Sequence, residues 1–145
     1  MCTSNGSPYL NWQTRIMYQT YKGVATLPGS DLRYFTRLLH RRTDDELMRE
    51  VPTLRVDSLH EKCDTWCDFP VADRPNAVAE WLKTEDSKLG DWILMIETDY
   101  VWMKPLASPP AGTDHAIAFQ FGYIDPMFPG VSEQIKRLWP GGNPK

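Results

Sequence analysis

The longest apolar run in this chain is Trp92-Ile93-Leu94-Met95-Ile96. Five residues fall far short of the ~20 that cross a bilayer as a helix. A short run that is apolar throughout reads instead as a strand covered on both faces, as in a central sheet with helices on either side. The segments around it agree. Ser7-Pro8 starts a helix, because Ser caps well and Pro costs nothing at the first helical position. Tyr9, Trp12, Ile16 and Thr20 follow at helical spacing, with Gln13 and Met17 beside them, and Gly23 reads as the stop. Pro28-Gly29-Ser30-Asp31 is a turn. Residues 34–40 fit a strand or a short helix equally.

Further along, residues 44–50 read as a short helix with acids in the first turn and Pro52 just beyond. Thr53-Leu54-Arg55-Val56 is a short strand. Residues 59–71 form a loop carrying Cys63, Trp66 and Cys67. Asp73 caps a helix that begins near Pro75, with Ala77, Val78, Trp81 and Leu82 as its apolar face. Gly90 closes the next turn. Residues 100–103 and 115–123 read as further strands, 105–112 as a loop and 131–139 as a last short helix, followed by a tail from Pro140 with no element to complete. Helices alternating with short strands give an α/β domain with a largely parallel sheet. The 145 residues suit one domain.

Composition excludes several classes. Lys plus Arg number 16 and Asp plus Glu 19, a net charge of −3, whereas a nucleic-acid binder carries a basic stripe. The one basic cluster, Arg37 with His40-Arg41-Arg42, runs straight into Asp44-Asp45-Glu46. Those acids sit at a helix start, where the helix dipole accounts for them. No signal peptide is visible. Three cysteines make no complete disulfide framework. Cys63-x3-Cys67 lacks the second Cys/His pair of a structural zinc site, and a local disulfide and two ordinary thiols remain equally open. His40, His60 and His115 are scattered. The Trp, Tyr and Phe side chains are core material first, and a sugar- or base-stacking surface second.

The chemistry centres on Glu97-Thr98-Asp99, directly after the apolar run. In extended backbone, residues two apart point to the same side, so both carboxylates address one spot. Open α/β sheets bind ligands at that end of their strands. Paired carboxylate oxygens suit Mg²⁺ or Mn²⁺, and such a metal bridges nucleotide phosphates and stabilises a departing diphosphate. The competing reading is a pair of solvated turn residues. A second candidate is the polar loop Thr3-Ser4-Asn5-Gly6-Ser7, whose N–H groups, with a helix N-terminus, can take an anion. Asn5-Gly6-Ser7 also matches a glycosylation sequon, with Pro8 directly after it. A third is Asp73-Arg74-Pro75, where Arg74 reaches a diphosphate or a sugar, or simply stays solvated.

At this point whole blocks of sequence become recognisable. Ser4-Asn5-Gly6-Ser7-Pro8-Tyr9 with Asn11-Trp12-Gln13-Thr14-Arg15-Ile16-Met17-Tyr18 resembles the first block of the plant and algal hydroxyproline O-arabinosyltransferases. Similar blocks follow in order: Pro28-Gly29-Ser30-Asp31, Phe35-Thr36-Arg37-Leu38-Leu39-His40, Val51-Pro52-Thr53, Arg74-Pro75 with Trp81-Leu82, Ile93 to Asp99 with Lys104-Pro105-Leu106, and Phe119 with Phe121-Gly122-Tyr123-Ile124-Asp125-Pro126. The peptidyl serine α-galactosyltransferases share the Trp12-Gln13 block, the Pro75 helix and the acidic motif, but differ around each.

The resemblance implies an α/β, GT-A-like Rossmann-type fold, with a mixed, mainly parallel sheet and flanking helices. It implies a partial domain over residues 1–145, lacking its first strand and its C-terminal part, with any membrane anchor in a longer parent chain. It also implies transfer of L-arabinofuranose from a UDP-sugar, UDP-arabinofuranose, to hydroxyproline-rich acceptor proteins in the Golgi lumen. That transfer would be Mn²⁺-dependent and retaining. The alternatives are serine α-galactosylation or an inactive fragment that only binds. By position, Asp99 would bind the metal, and Glu97 the metal through water or the ribose. Thr3, Ser4 and Gln13 would line the nucleotide pocket, and Arg74 would face the diphosphate. The family motif usually carries Pro between its acids, where this chain has Thr98; both carboxylates are intact.

Overall fold

Three short strands pair in parallel in the order β1 (Cys2–Ser4), β2 (Arg37–His40) and β3 (Thr53–Val56). Cys2 lies opposite Arg37 and Ser4 opposite Leu39; Arg37 lies opposite Thr53 and His40 opposite Val56. The computed structural model describes residues 1–64, 70–110, 112–118, 129–138 and 140–141. These fall into two compact units, Met1–Pro109 and Pro110–Lys145. The sheet belongs to the first. The second contains α3 (Pro129–Leu138), with Lys136 and Arg137 in its last turn, close to the helix read from the sequence. Trp66, Cys67, the block 119–126 and Trp139 lie outside the described residues, as does most of the strand expected over 115–123; its described part, 115–118, is not strand.

The first strand, which the sequence reads as absent or reduced to a stub, is the three-residue β1. Cys2, Thr3 and Ser4 are all buried. Three residues are too few to carry a periodicity, so only pairing with β2 reveals the strand. The pairing is fixed at its start by Cys2 N–H donating to Thr36 O at 3.1 Å.

Two helices cover opposite faces of this sheet, as alternation along its strands requires. On one face α1 (Pro8–Ala25) sets Met17 and Tyr21 against Cys2, Phe35, Leu47 and Val51. On the other, α2 (Asp73–Trp81) sets Ala77 and Trp81 against Leu38 and Val56. Full burial of a side chain such as Met17 or Leu38 is worth roughly 1.5–3 kcal/mol each, so these two clusters hold the unit together.

The start of α1 is as read: Ser7 Oγ accepts from Leu10 N–H at 3.3 Å and Pro8 is the first helical residue. Its end is later, because Gly23 stays helical and the helix closes at Thr26. Its buried face also differs. Gln13, Thr14, Met17, Tyr21 and Val24 face the sheet, while Tyr9, Trp12 and Ile16 are 62%, 50% and 46% exposed. Tyr9 and Trp12 pack edge to face on that outer side.

Residues 34–40 resolve as strand at their end, and β3 has the bounds expected for it. The helix over 44–50 is a single 3-10 turn, Glu46–Arg49, with no side-chain cap from Asp45. Asp73 does not cap α2; its Oδ1 accepts from Leu59 N–H at 2.9 Å. Leu82 falls beyond the helix and is exposed.

The apolar run 92–96 differs most from expectation. It lies beside β1, where Met1 N donates to Leu94 O at 2.6 Å and Ile96 N–H to Met1 O at 3.1 Å, and makes a single parallel bridge, Cys2 to Ile96. It is not a strand covered on both faces: Ile93 and Met95 are 47% and 65% exposed. Residues 100–103 form no strand either. They run along α1, with Trp102 N–H donating to Thr20 Oγ1 at 3.2 Å and the Trp102 ring against Tyr21.

Candidate functional site

The carboxyl ends of β1, β2 and the 92–96 segment bring Ser4, His40 and Glu97 to the same end of the sheet, because all run parallel. Beyond Ile96, the burial runs out–in–out: Glu97 exposed, Thr98 only 3% exposed, Asp99 exposed. The backbone is not extended through this tripeptide: Thr98 and Asp99 lie in a turn, as in the competing reading, and what the structure shows is two exposed acids flanking a buried threonine.

Thr98 is turned toward α1. Its Oγ1 donates to Gln13 Oε1 at 2.9 Å, and both residues are buried. The chain after it stays fastened along the same helix and the turn beyond it. Trp102 is held by Thr20, Asp31 N–H donates to Leu106 O at 2.9 Å, and Ser108 N–H donates to Asp31 Oδ2 at 2.8 Å.

On the other side stands Arg74, in the first turn of α2. Its Nη1 is 2.7 Å from Glu97 Oε1. Two residues singled out separately in the sequence thus meet. The carboxylate of Asp99 has no partner among the described residues. Glu97 also acts on Cys2. Burial pushes the Cys2 thiol up to about 11, Glu97 adds to the rise, and the N-terminal amine and Arg37 oppose it. Cys2 is then a thiol at neutral pH, a packing residue rather than a nucleophile.

The loop before α1 is closed on itself. Gly6 N–H donates to Ser4 Oγ at 3.1 Å and Ser7 N–H to Asn5 Oδ1 at 3.0 Å. With Leu10 N–H on Ser7, these donors are already used, so the loop is not an open anion cradle. Ser4 and Thr3 are buried and form the floor of the region rather than its open wall. Of the six residues picked from the sequence, Arg74, Glu97 and Asp99 are open to a ligand, Gln13 stands behind them, and Thr3 and Ser4 lie beneath.

Two features escaped the sequence reading. Arg37, grouped in sequence with His40-Arg41-Arg42 as a basic cluster, is fully buried. It donates to Asp45 through Nη1 at 2.9 Å and Nη2 at 2.5 Å, to Asn11 Oδ1 at 3.1 Å and to Thr53 Oγ1 at 3.1 Å. No local pattern distinguishes such an Arg from a solvated one. His40 and Asp73 are each 3% exposed, and His40 Nδ1 and Asp73 Oδ2 have no hydrogen-bond partner among the described residues. Burial lowers the His40 pKa; Asp73 opposes that and Arg74 adds to it.

Among the described residues no three His, Cys, Asp or Glu side chains converge on one metal position. Two exposed carboxylates flanking a buried threonine would still suit Mn²⁺ or Mg²⁺. Such ions are held by one or two carboxylates, with phosphate oxygens and water filling the rest. Two shallow grooves of about 440 Å³ each lie elsewhere, one along β3 and α2 and one over residues 44–49. Neither contains a carboxylate pair aimed from a strand end, and the acids at 97 and 99 remain the better site on chemistry.

Comparison with known proteins gives a consistent result. Residues 1–144 match the family described as the hydroxyproline O-arabinosyltransferase family N-terminal domain. Hydroxyproline O-arabinosyltransferase 3 of Arabidopsis thaliana is 44% identical over 86% of this chain and 34% of its own length. Hydroxyproline O-arabinosyltransferase RDN2 of Medicago truncatula is 42% identical over 94% of this chain and 36% of its own. A peptidyl serine alpha-galactosyltransferase of Arabidopsis thaliana is 30% identical over 80% of this chain and 15% of its own. The chain thus spans about a third of the length of the arabinosyltransferases it matches. No solved structure matches it.

Proposed function

The chain belongs to the hydroxyproline O-arabinosyltransferase family. From that premise we propose that residues 1–145 are the donor-binding part of a GT-A-like glycosyltransferase domain. It serves transfer of L-arabinofuranose from UDP-arabinofuranose to hydroxyproline in secretory and cell-wall proteins, with retention at the anomeric carbon, in the Golgi lumen. No helix among the described residues is long and apolar enough to cross a membrane; an anchor, in this reading, belongs to a longer parent chain.

The observation that carries the reading is the out–in–out burial of Glu97, Thr98 and Asp99 at a parallel strand end, with Arg74 paired to Glu97. In this assignment Asp99 holds Mn²⁺ directly, and Glu97 holds it through water or takes the ribose. Arg74 leaves Glu97 for the diphosphate. Thr3 and Ser4 shape the floor of the nucleotide pocket, and Gln13 supports it from behind. When bound, Mn²⁺ supplies charge neutralisation at the departing diphosphate.

Thermal stability against UDP-sugars, with and without Mn²⁺, tests this. A ligand that binds only the folded state raises the midpoint. A Mn²⁺-dependent rise with UDP-arabinofuranose above UDP-galactose, abolished in Asp99→Ala, is expected. UDP binding indifferent to metal and to Asp99 overturns the metal assignment, and a larger rise with UDP-galactose moves the donor to the α-galactosyltransferase reading. A second reading is a module that binds donor without transfer. It predicts the same midpoint rise but no arabinose incorporated into hydroxyproline peptides.

A further inference from the structure

We infer that Thr98 and Gln13 are the positioning residues of the acidic motif: their buried hydrogen bond aims Glu97 and Asp99 at the ligand, and Gln13 acts through it rather than by touching nucleotide. The inference rests on the reading of Glu97 and Asp99 as the metal–diphosphate pair. Three observations carry it. The bond is 2.9 Å and buried, and joins residues 85 apart in sequence, so it is a tertiary tether and not local geometry. Thr98 is the buried residue between two exposed acids, at the start of a turn, so what anchors its side chain restrains the backbone that carries both neighbours. The backbone before it is weakly held, since the 92–96 segment makes a single bridge to β1 and no regular ladder. Strand pairing alone therefore does not set the orientation of the acids; the hydrogen bond at 98 does, with the Arg74 ion pair holding the Glu97 carboxylate.

The bond also occupies Gln13. With its oxygen accepting from Thr98 and the residue only 8% exposed, Gln13 offers little surface to a ligand. It sits in the second turn of α1, whose start is pinned by Ser7 and whose face is packed in the core. A rigid helix is a good datum for aligning a loosely held strand end.

The test is titration of the 145-residue chain with UDP, with and without Mn²⁺, together with the electron paramagnetic resonance spectrum of bound Mn²⁺. Thr98→Val removes the hydroxyl at constant shape. It is expected to weaken Mn²⁺-dependent UDP binding about tenfold, the scale of one lost buried hydrogen bond. Metal-free UDP binding should stay unchanged, and the Mn²⁺ spectrum should alter. Thr98→Ser should restore both. Gln13→Leu should weaken binding as Thr98→Val does, and the double variant no further, because one bond is being removed twice. Binding is read well below each variant's melting midpoint, so a loss of stability alone moves none of these values. Thr98→Val that binds Mn²⁺ and UDP like the native chain overturns the inference and leaves the proposed function standing. So does Gln13→Leu that weakens UDP equally with and without metal while Thr98→Val has no effect, since Gln13 would then be touching the nucleotide. A native chain with no Mn²⁺-dependent UDP binding overturns the proposed function, and this inference with it.

Discussion

Arg74 and Glu97 form an ion pair of 2.7 Å that ties the first turn of α2 to the end of the 92–96 segment. The side chains are 30% and 54% exposed, so solvent screens them and the pair contributes less than ~1 kcal/mol to stability. Its interest is chemical. A guanidinium can exchange a carboxylate for a diphosphate with little loss, because both accept two parallel N–H bonds. Arg74→Met is expected to leave the denaturant midpoint nearly unchanged and to weaken UDP binding severalfold. Equal UDP affinity in the variant would mean that Arg74 only guards Glu97. Paired chemical-denaturation and titration measurements decide it.

The buried pair behaves differently. Arg37 and Asp45 have side-chain exposures of 0% and 6%. Removing one partner leaves a charge buried without compensation, at a cost of roughly 3–5 kcal/mol. Asp45→Ala should therefore be among the most damaging single changes in the first unit, whereas Arg37→Met combined with Asp45→Leu should cost less than Asp45→Ala alone. The pair also sets an acid limit. Burial raises the Asp45 pKa, but hydrogen bonds and charge from Arg37 outweigh it and hold the carboxyl below its ordinary 3.8. A carboxyl lowered on folding stabilises above its unfolded pKa, and that stability is lost as pH falls through the folded value. The acid-unfolding midpoint should accordingly move to higher pH in Asp45→Asn.

How much of this was legible beforehand depended on where the information lay. The start of α1 and the bounds of β3 are local, written in Ser7-Pro8 and in four residues before a charged turn. At the acidic motif the exposure of both acids was local information, but the turn at Thr98-Asp99, where extended chain was expected, was not. The helix face was not local either. α1 carries two stripes that pass for apolar, Tyr9-Trp12-Ile16 and Met17-Tyr21-Val24, and periodicity cannot choose between them. The sheet chose the second by burying Cys2 and Phe35 against it. Nor does the run 92–96 reveal which of its faces is covered, because an apolar run states a capacity to be buried and not a neighbour. The Thr98–Gln13 bond spans 85 residues, which no window of sequence contains, and the Arg37–Asp45 pair, only 8 apart, shows no local pattern that tells a buried arginine from a solvated one.

His40 supplies a second pH effect, of the same sign but in a higher window. Burial lowers its pKa from the ordinary 6.5, Asp73 opposes the shift and Arg74 adds to it. The unfolded chain then takes up a proton more readily than the folded one. Stability is complete above pH ~6.5 and falls as pH drops from there through the folded pKa. His40→Asn, which cannot titrate there, should flatten the melting midpoint between pH 5 and 7. A native profile already flat in that window would show that His40 keeps its ordinary pKa in the fold.

Gly6 tests the packing of the loop beneath the site. Its φ is +73°, and a Cβ built there would meet Asp45 Oδ2 and Leu39 Cδ1 at 3.0 Å and Arg41 Cδ at 3.1 Å. Gly29 has a similar φ of +80° but nothing within 4 Å. Alanine at either position bears the backbone penalty of the left-handed region, ~1–2 kcal/mol. Only Gly6→Ala must also displace the carboxylate that holds Arg37, adding overpacking of ~1–3 kcal/mol. Subtracting the two unfolding free energies therefore isolates the contact between the β1–α1 loop and the buried pair. A difference near zero would mean that the loop moves aside freely. In that case UDP binding should be insensitive to Gly6→Ala; if the loop is held, the same substitution should weaken UDP binding along with stability, because Ser4 and Gly6 share one hydrogen bond under the site.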